Sequence, residues 1–302
     1  MTSRPHIAVC VCTYKRPERL RQLLSRLDEQ RSEGLFDYSV VIVDNDRLES
    51  ARPAATAFAG QSSIPMAYHV EPEQNIALAR NGAIAHARGD FVALIDDDEL
   101  PPPTWLLHLY RTIIRYGSDG VLGPVFPAFE RQPPAWVVRG RFFERATHPT
   151  GYVLSWNNTR TGNALLRRNL FQCESRTWFD PALGSGGEDR DFFRRQISHG
   201  RVFVWCAEAP VVETVPPQRW RRTVMLKRAF LRGKMALKSA DSKVLSVLTS
   251  VFAVALYALC LPLLLVLGHH LFMRYLISTC DHLGKLLAFF AIDIVRQQYV
   301  EG

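Results

Sequence analysis

Four short apolar runs, each followed by a stretch of helical periodicity, fill the first 116 residues of the chain. Residues 7–12 are apolar and rich in β-branched side chains, which predicts a buried strand. Thr13-Tyr14-Lys15-Arg16-Pro17 breaks that run, and Pro17 suits a first helical position. Leu20, Leu23, Leu24 and Leu27 then recur at helical spacing. Residues 38–43, 67–70 and 91–95 predict three more strands, and residues 50–59, 76–87 and 103–116 predict helices. This alternation argues an α/β fold with a largely parallel central sheet.

In such folds the working loops lie at the carboxyl ends of strands. The polar clusters fall there: Thr13–Arg16 after the first run, Asp44-Asn45-Asp46 after the second, and Asp96-Asp97-Asp98-Glu99 after the fourth. No G-x-G-x-x-G follows the first strand and no G-x-x-x-x-G-K-[ST] occurs, so a dinucleotide oxidoreductase and a P-loop NTPase lose their main support. Beyond residue 120 the pattern loosens. Residues 126–160, rich in Pro, Trp and Arg, read as an irregular substrate-facing segment. Residues 164–166 and 202–205 predict strands, and 188–199 a helix.

Two acid clusters carry candidate chemistry. Adjacent carboxylates at Asp96, Asp97 and Asp98 repel one another, and a divalent cation compensates them naturally because hard cations take carboxylate oxygens. The plainer reading is a solvated acidic loop capping the next helix. Gly186-Gly187-Glu188-Asp189-Arg190-Asp191 opens a helix, where one carboxylate can serve as a general base. Here the plainer reading is a capping box from Ser185 to Glu188 with acids in the first turn.

The ordered series Cys12-Thr13-Tyr14-Lys15-Arg16-Pro17, Val41-Ile42-Val43-Asp44-Asn45, Ala79-Arg80-Asn81-Gly82, Gly89-Asp90-Phe91, Asp96-Asp97-Asp98 and Gly187-Glu188-Asp189 resembles the family 2 glycosyltransferases of GT-A fold. The resemblance covers roughly residues 5–215. With Thr161-Gly162-Asn163 and Val215-Pro216-Pro217, the chain is most similar to bacterial exopolysaccharide enzymes of the succinoglycan type.

That resemblance implies a set of roles. Thr13, Tyr14 and Arg16 would line the nucleotide pocket, and Asp44 would hydrogen-bond the base, usually uracil. Arg80 and Asp97 would belong to the nucleotide-sugar site. Asp96 and Asp98 would form a D-x-D motif, Asp96 near ribose or sugar and Asp98 on a Mn2+ or Mg2+ ion. Asp189 would be the catalytic base with Glu188 supporting it, and Asn163 a further site residue. Glu213 stands where many relatives have a metal-binding His. One base opposite the leaving group implies inversion. Gln218-Arg219-Trp220 resembles the Q-x-x-R-W motif of processive synthases at the wrong spacing, with Arg219 toward the diphosphate and Trp220 on a sugar. The plainer reading of that segment is a basic aromatic edge of the tail helix.

Charge divides the chain. From Arg219 onward there are twelve basic residues and four acids, which accounts for the whole net charge of +8; the first 218 residues carry twenty-five of each sign. Residues 1–218 therefore read as the catalytic domain and 219–302 as a basic, membrane-associated helical region. Residues 244–273 hold no formally charged side chain, more than the ~20 residues a span requires. Pro262 and Gly268-His269-His270 interrupt that run and leave a kinked span and a re-entrant hairpin both open. Residues 275–295 contain Asp281, Lys285 and Asp293 and read as an interfacial helix. The alternative is a buried helical hairpin. The basic flank is expected to stay cytoplasmic. The short polar start gives no export signal, and Cys10 and Cys12 read as buried reduced thiols of a cytosolic domain.

These features lead to an inner-membrane enzyme with a cytoplasmic catalytic domain, moving a hexose from a nucleotide-diphosphate sugar, UDP-glucose for example, to a lipid-linked saccharide. The rivals are a sugar nucleotidyltransferase, which wants a Gly-rich triphosphate loop, and a membrane scaffold with a degenerate domain. Nucleic acid is not an expected partner, because the excess charge flanks the apolar run.

Overall fold

The structure is a computed structural model and describes residues 4–172, 177–184, 186–238 and 242–292. Two compact units divide the chain. The first runs to Phe126 and resumes over Arg145–Thr214; the second comprises Pro127–Glu144 and the chain from Val215.

The first unit is built on a seven-stranded sheet. Strands β1 (His6–Thr13), β2 (Asp37–Asp44), β3 (Met66–Val70) and β4 (Phe91–Asp96) pair in parallel in the order β3-β2-β1-β4. The sheet continues through β8 (Ala164–Arg167), β6 (Gly120–Leu122) and β9 (Phe203–Trp205), with β8 antiparallel to both β4 and β6. Helices cover both faces, so strand residues of either parity are buried. On one face Ile7, Val9, Val11, Val40 and Ile42 meet the leucines of α1 (Pro17–Asp28), Ala54 and Phe58 of α2 (Arg52–Ala59), and Trp105, Leu109 and Ile113 of α4 (Trp105–Tyr116). On the other, Ala8, Cys10, Val41 and Leu94 meet Ala83 and Ile84 of α3 (Ile76–His86) and Phe192 and Phe193 of α6 (Glu188–Ser198). Leu20, Leu23, Leu24 and Leu27 are fully or almost fully buried, and each contributes roughly 1.5–3 kcal/mol of apolar burial. Pro17 opens α1 as its sequence predicts, and Asn75 caps α3 by accepting from Ala77 N at 3.0 Å and Leu78 N at 3.2 Å. A small second sheet sets β5 (Glu99–Leu100) antiparallel to β10 (Val211–Val215), with Glu99 opposite Glu213. Residues 126–160 include the end of β7 (Val125–Phe129) and the short α5 (Ala135–Gly140); neither has a periodicity that marks it in the sequence.

In the second unit, α7 (Arg222–Lys238), α8 (Lys243–Leu267) and α9 (His269–Phe289) pack with α9 against both of the others. In sequence Leu226, Phe230, Gly233 and Leu237 form an imperfect apolar stripe, whereas the buried row of α7 is Met225, Ala229, Gly233 and Leu237. Close approach explains the difference. A Cβ on Gly233 would collide with the Asp281 carbonyl, and one on Gly284 with the Phe230 carbonyl, so the small residues decide which face meets α9. Helix α8 runs unbroken through Pro262 and ends at Gly268, whose φ of 155° lies in the region that favours glycine. Its surface is largely exposed, which rules out a buried hairpin helix. Among the described residues it is the one helix long and apolar enough to cross a membrane.

Candidate active site

Strand register assembles the site. Thr13 pairs with Asp44 on one side of β1, and Cys12 pairs with Asp96 on the other, so the polar residues that end three adjacent parallel strands share one rim of the sheet. Such a rim is where open α/β sheets bind ligands.

The loop after β1 is tied to the acid cluster after β4. Thr13 Oγ1 donates to Asp97 Oδ2 at 2.7 Å, and Arg16 Nη1 donates to Asp97 Oδ1 at 3.2 Å. Asp98 is buried, with Arg19 Nη1 at 3.5 Å and Arg16 Nη1 at 3.6 Å from its Oδ2. Tyr14 is half-buried in the same loop, with the Lys15 ammonium 5.3 Å from its ring centroid. Burial pushes the Asp97 carboxyl above the usual range, with Arg16 and Thr13 working against the shift.

Asp44 is fully buried. It accepts from Ala51 N at 2.7 Å, Tyr68 Oη at 2.8 Å and Asp46 N at 3.1 Å, so both oxygens are engaged before any ligand arrives. Its carboxyl is raised by burial, against these three donors.

Arg80, on α3, joins the two acid clusters. Its Nη1 donates to Glu188 Oε1 and its Nη2 to Asp96 Oδ1 at 3.2 Å. The side chain is buried, which works against its charge. Glu188 and Asp96 outweigh that and hold the guanidinium above its ordinary value. Glu188 Oε2 is buried with no hydrogen-bond partner among the described residues, and burial drives this carboxyl up to about 7 despite Arg80. Asp189 is the next residue of α6, only partly buried, and its Oδ1 accepts from Arg190 N at 2.7 Å. Gly187, at φ 93°, starts the helix; Ser185, the expected cap, lies outside the described residues. The segment before α6 is pinned to α3: the Asn81 amide donates to Phe179 O and accepts from Trp178 N and Phe179 N, and Ile76 N donates to Gly184 O at 3.2 Å.

The acid cluster has room for a cation. The Asp96 side chain is 47% exposed. Glu99 is buried beside it and raised well above the carboxylate range, by burial first and then by Asp96 and Asp98. A Cβ on Gly162 would lie 2.6 Å from Glu99 Oε1 and 3.1 Å from Asp96 Oδ2, so the missing side chain leaves space against these oxygens. A cluster of hard oxygen donors beside open space fits a divalent ion. Among the described residues no three His, Cys, Asp or Glu side chains already stand at coordination geometry. Glu213 is engaged by Arg145, whose other terminal nitrogen is 4.0 Å from Glu99 Oε1.

Two expectations are corrected. Asn163 is fully buried and works for the fold: its amide donates to Pro124 O at 2.9 Å and Ala209 O at 2.8 Å, and its carbonyl accepts from Trp105 Nε1 at 2.7 Å. Trp220 is buried in a cluster with Val137, Val215 and Met225 and packs edge-on to Phe129 at 5.4 Å, so its ring is not open for a sugar. Arg219 lies beside it on the turn Pro217–Trp220, in the second unit. Sequence reasoning missed Arg19 and Arg145, and it named Glu99 and Gly162 within motifs without giving either a role. Arg19 sits one helical turn beyond Arg16, a spacing that signals a shared face; the other three depend on long-range pairing.

The glycosyl transferase family 2 model matches residues 8–174. Succinoglycan biosynthesis protein ExoM of Rhizobium meliloti (strain 1021) is 36% identical over 233 residues, covering 76% of this chain and 73% of that protein. Among solved structures, the mannosyltransferase PcManGT from Pyrobaculum calidifontis, in complex with GDP-Man and Mn2+, superposes with a TM-score of 0.64 at 17% identity over 97% of this chain and 89% of its own. S. aureus TarS 1-349 in complex with UDP-GlcNAc gives 0.54 at 19% identity, covering 78% of this chain and 68% of that one; the chain spans 40% of the longer TarS structure. The fold is GT-A, and the chain belongs to glycosyl transferase family 2.

Proposed function

We propose that the chain is an inverting, divalent-cation-dependent hexosyltransferase that takes its sugar from a UDP-sugar and delivers it to a hydroxyl of a lipid-linked saccharide in exopolysaccharide synthesis. The observation that carries this reading is Arg80, which ties Asp96 at the end of β4 to Glu188 at the start of α6 and so brings the two acid clusters into one site. The kinship with ExoM supports the pathway class, and the UDP and UDP-GlcNAc complexes of TarS support the donor class.

Asp98 and Asp96 would hold the cation, with Mn2+ or Mg2+ suited to their oxygens. When bound, it stabilises the charge that develops on the leaving diphosphate. Thr13, Tyr14 and Arg16 line the nucleotide side. Asp44 acts at the base by fixing the loop from Asp46 to Ala51, and Asp97 by holding Thr13 and Arg16. Asp189 takes the proton of the acceptor hydroxyl, a contribution of roughly 10²–10⁴-fold. Glu188, paired to Arg80, keeps Asp189 at the mouth of the site. A single base opposite the leaving group gives inversion. The exposed apolar helix α8 and the basic α7 support attachment to the cytoplasmic face of a bacterial inner membrane, where a lipid-linked acceptor is at hand.

The test is a panel of nucleotide sugars with Mn2+ or Mg2+, read by donor turnover and by protection from thermal unfolding. A UDP-hexose is expected to score, with the product anomer inverted by NMR. Turnover that is unchanged in chelator overturns the cation; a retained anomer overturns the mechanism.

A further inference from the structure

Resting on the membrane reading above, we infer that α8 lies along one leaflet as an in-plane helix and does not cross the bilayer. Length alone points the other way, since 25 residues make ~37 Å of helix against a hydrocarbon core of ~30 Å. The neighbours of α8 within the second unit decide the matter.

One face of α8 is an unbroken apolar ridge. Leu248, Phe252, Leu256, Leu259, Leu263 and Val266 recur at three- and four-residue steps and point outward, with Phe252 72%, Leu259 80% and Val266 84% exposed. The opposite face belongs to α9. Ser250 is fully buried with its hydroxyl 3.0 Å from His282 Nδ1, and the Tyr257 ring packs edge-on to Tyr275 at 5.3 Å. Helix α9 is charged along this length, with Arg274, Asp281 and Lys285, and it packs in turn on α7. That contact is tight, with Gly233 and Gly284 leaving the backbones no room for a side chain, and Arg232 pairs with Asp281 at 2.9 Å across it. Helix α7 adds Lys227, Arg228, Arg232, Lys234 and Lys238. An upright α8 would draw both charged helices into hydrocarbon, where such side chains are strongly disfavoured.

The far end of α8 is also held. The chain turns at Gly268, and the next residue, His269, packs edge-on to Trp136 of α5 at 5.3 Å. Arg274 Nη2 donates to Gly140 O at 3.0 Å. Helix α5 exposes Arg139, and Arg141 follows it equally exposed. A turn placed in the opposite leaflet would carry these arginines with it. Both ends of α8 therefore stay on one side, the ridge dips into acyl chains and the basic residues of α7 lie at the level of acidic phospholipid headgroups. The partner is a single leaflet with anionic lipid.

Two experiments on the full chain test this. In the first, His270→Cys is treated with a membrane-impermeant maleimide in intact right-side-out spheroplasts and again after disruption, against the background of the native cysteines. Labelling only after disruption is expected; labelling in intact spheroplasts overturns the in-plane placement and leaves membrane attachment standing. In the second, purified protein is sedimented with vesicles of phosphatidylcholine alone or with phosphatidylglycerol added. The native chain is expected to bind the anionic vesicles at least tenfold better, and Leu259→Glu to lose at least tenfold in partitioning with an unchanged thermal midpoint. Unchanged partitioning of Leu259→Glu overturns the ridge as the inserting face. A native chain that binds neither vesicle overturns the membrane reading itself.

Discussion

Arg80 donates to Glu188 across 108 residues of chain, from the first turns of α3 to the first residue of α6. Both side chains are almost inaccessible to solvent, so removing Glu188 leaves the Arg80 charge buried, and removing Arg80 strands a carboxyl that stays buried only by taking a proton. Arg80→Ala is expected to cost about 1–3 kcal/mol in stability, the range for leaving a buried polar group without its partner. The double variant with Glu188→Gln should regain part of that stability and none of the turnover. Urea unfolding beside a transfer assay separates the two effects.

Glu188 also sets a pH dependence. Burial, partly offset by Arg80, raises its folded pKa to about 7, while the unfolded chain titrates it near the ordinary ~4.3. The folded state thus holds the proton more tightly. Its contribution to stability is full below about pH 4 and is lost as pH rises through about 7. Glu188→Gln removes that slope, so its stability relative to the native chain should rise by roughly 3 kcal/mol between about pH 4 and about pH 8. Parallel stability–pH curves for the two proteins would refute the assignment.

Asp189→Asn should lose roughly 10²–10⁴-fold in transfer while still binding nucleotide. Asp98→Asn should lose the response to Mn2+ or Mg2+. Calorimetric titration with UDP distinguishes the two, because only the second variant is expected to lose the cation-dependent part of binding.

Asn163→Ala removes an amide with three buried hydrogen-bond partners and leaves Trp105 Nε1 unpaired. A loss of about 1–3 kcal/mol is expected, from the desolvation of the orphaned groups, with the KM for donor unchanged in the folded fraction. A selective rise in KM at full stability would return Asn163 to the site.

Gly233→Leu places a side chain where the Asp281 carbonyl stands. The expected result is separation of α7 from α9, seen as faster proteolysis of the second unit, at a cost of about 1–3 kcal/mol or more.

The parallel half of the sheet is legible because runs such as Val40–Val43 bury both faces, and continuous apolarity is all a reader needs. The catalytic rim is legible for a related reason: Thr13, Asp44 and Asp96 each follow such a run directly, and parallel pairing then aligns them. Strands β5 and β6 are two and three residues long and exist only through distant partners, so no local pattern announces them. Asn163 and Trp220 looked functional because each falls in a short stretch resembling a family motif; their partners, Trp105 and Phe129, lie far off in sequence. On α7 hydrophobicity pointed to Leu226 and Phe230, but the contact was chosen by the absence of a side chain at Gly233.

The saturated carboxylate of Asp44 has a consequence for anyone redesigning the donor. Its three hydrogen bonds knit Asp46, Ala51 and Tyr68 into one rigid wall. A single substitution in that wall is expected to loosen it without presenting a new pattern of donors and acceptors. If the proposed nucleotide site is right, exchanging one nucleobase for another is a transplantation problem, in which residues 44–51 move as a cassette together with the tyrosine that braces them.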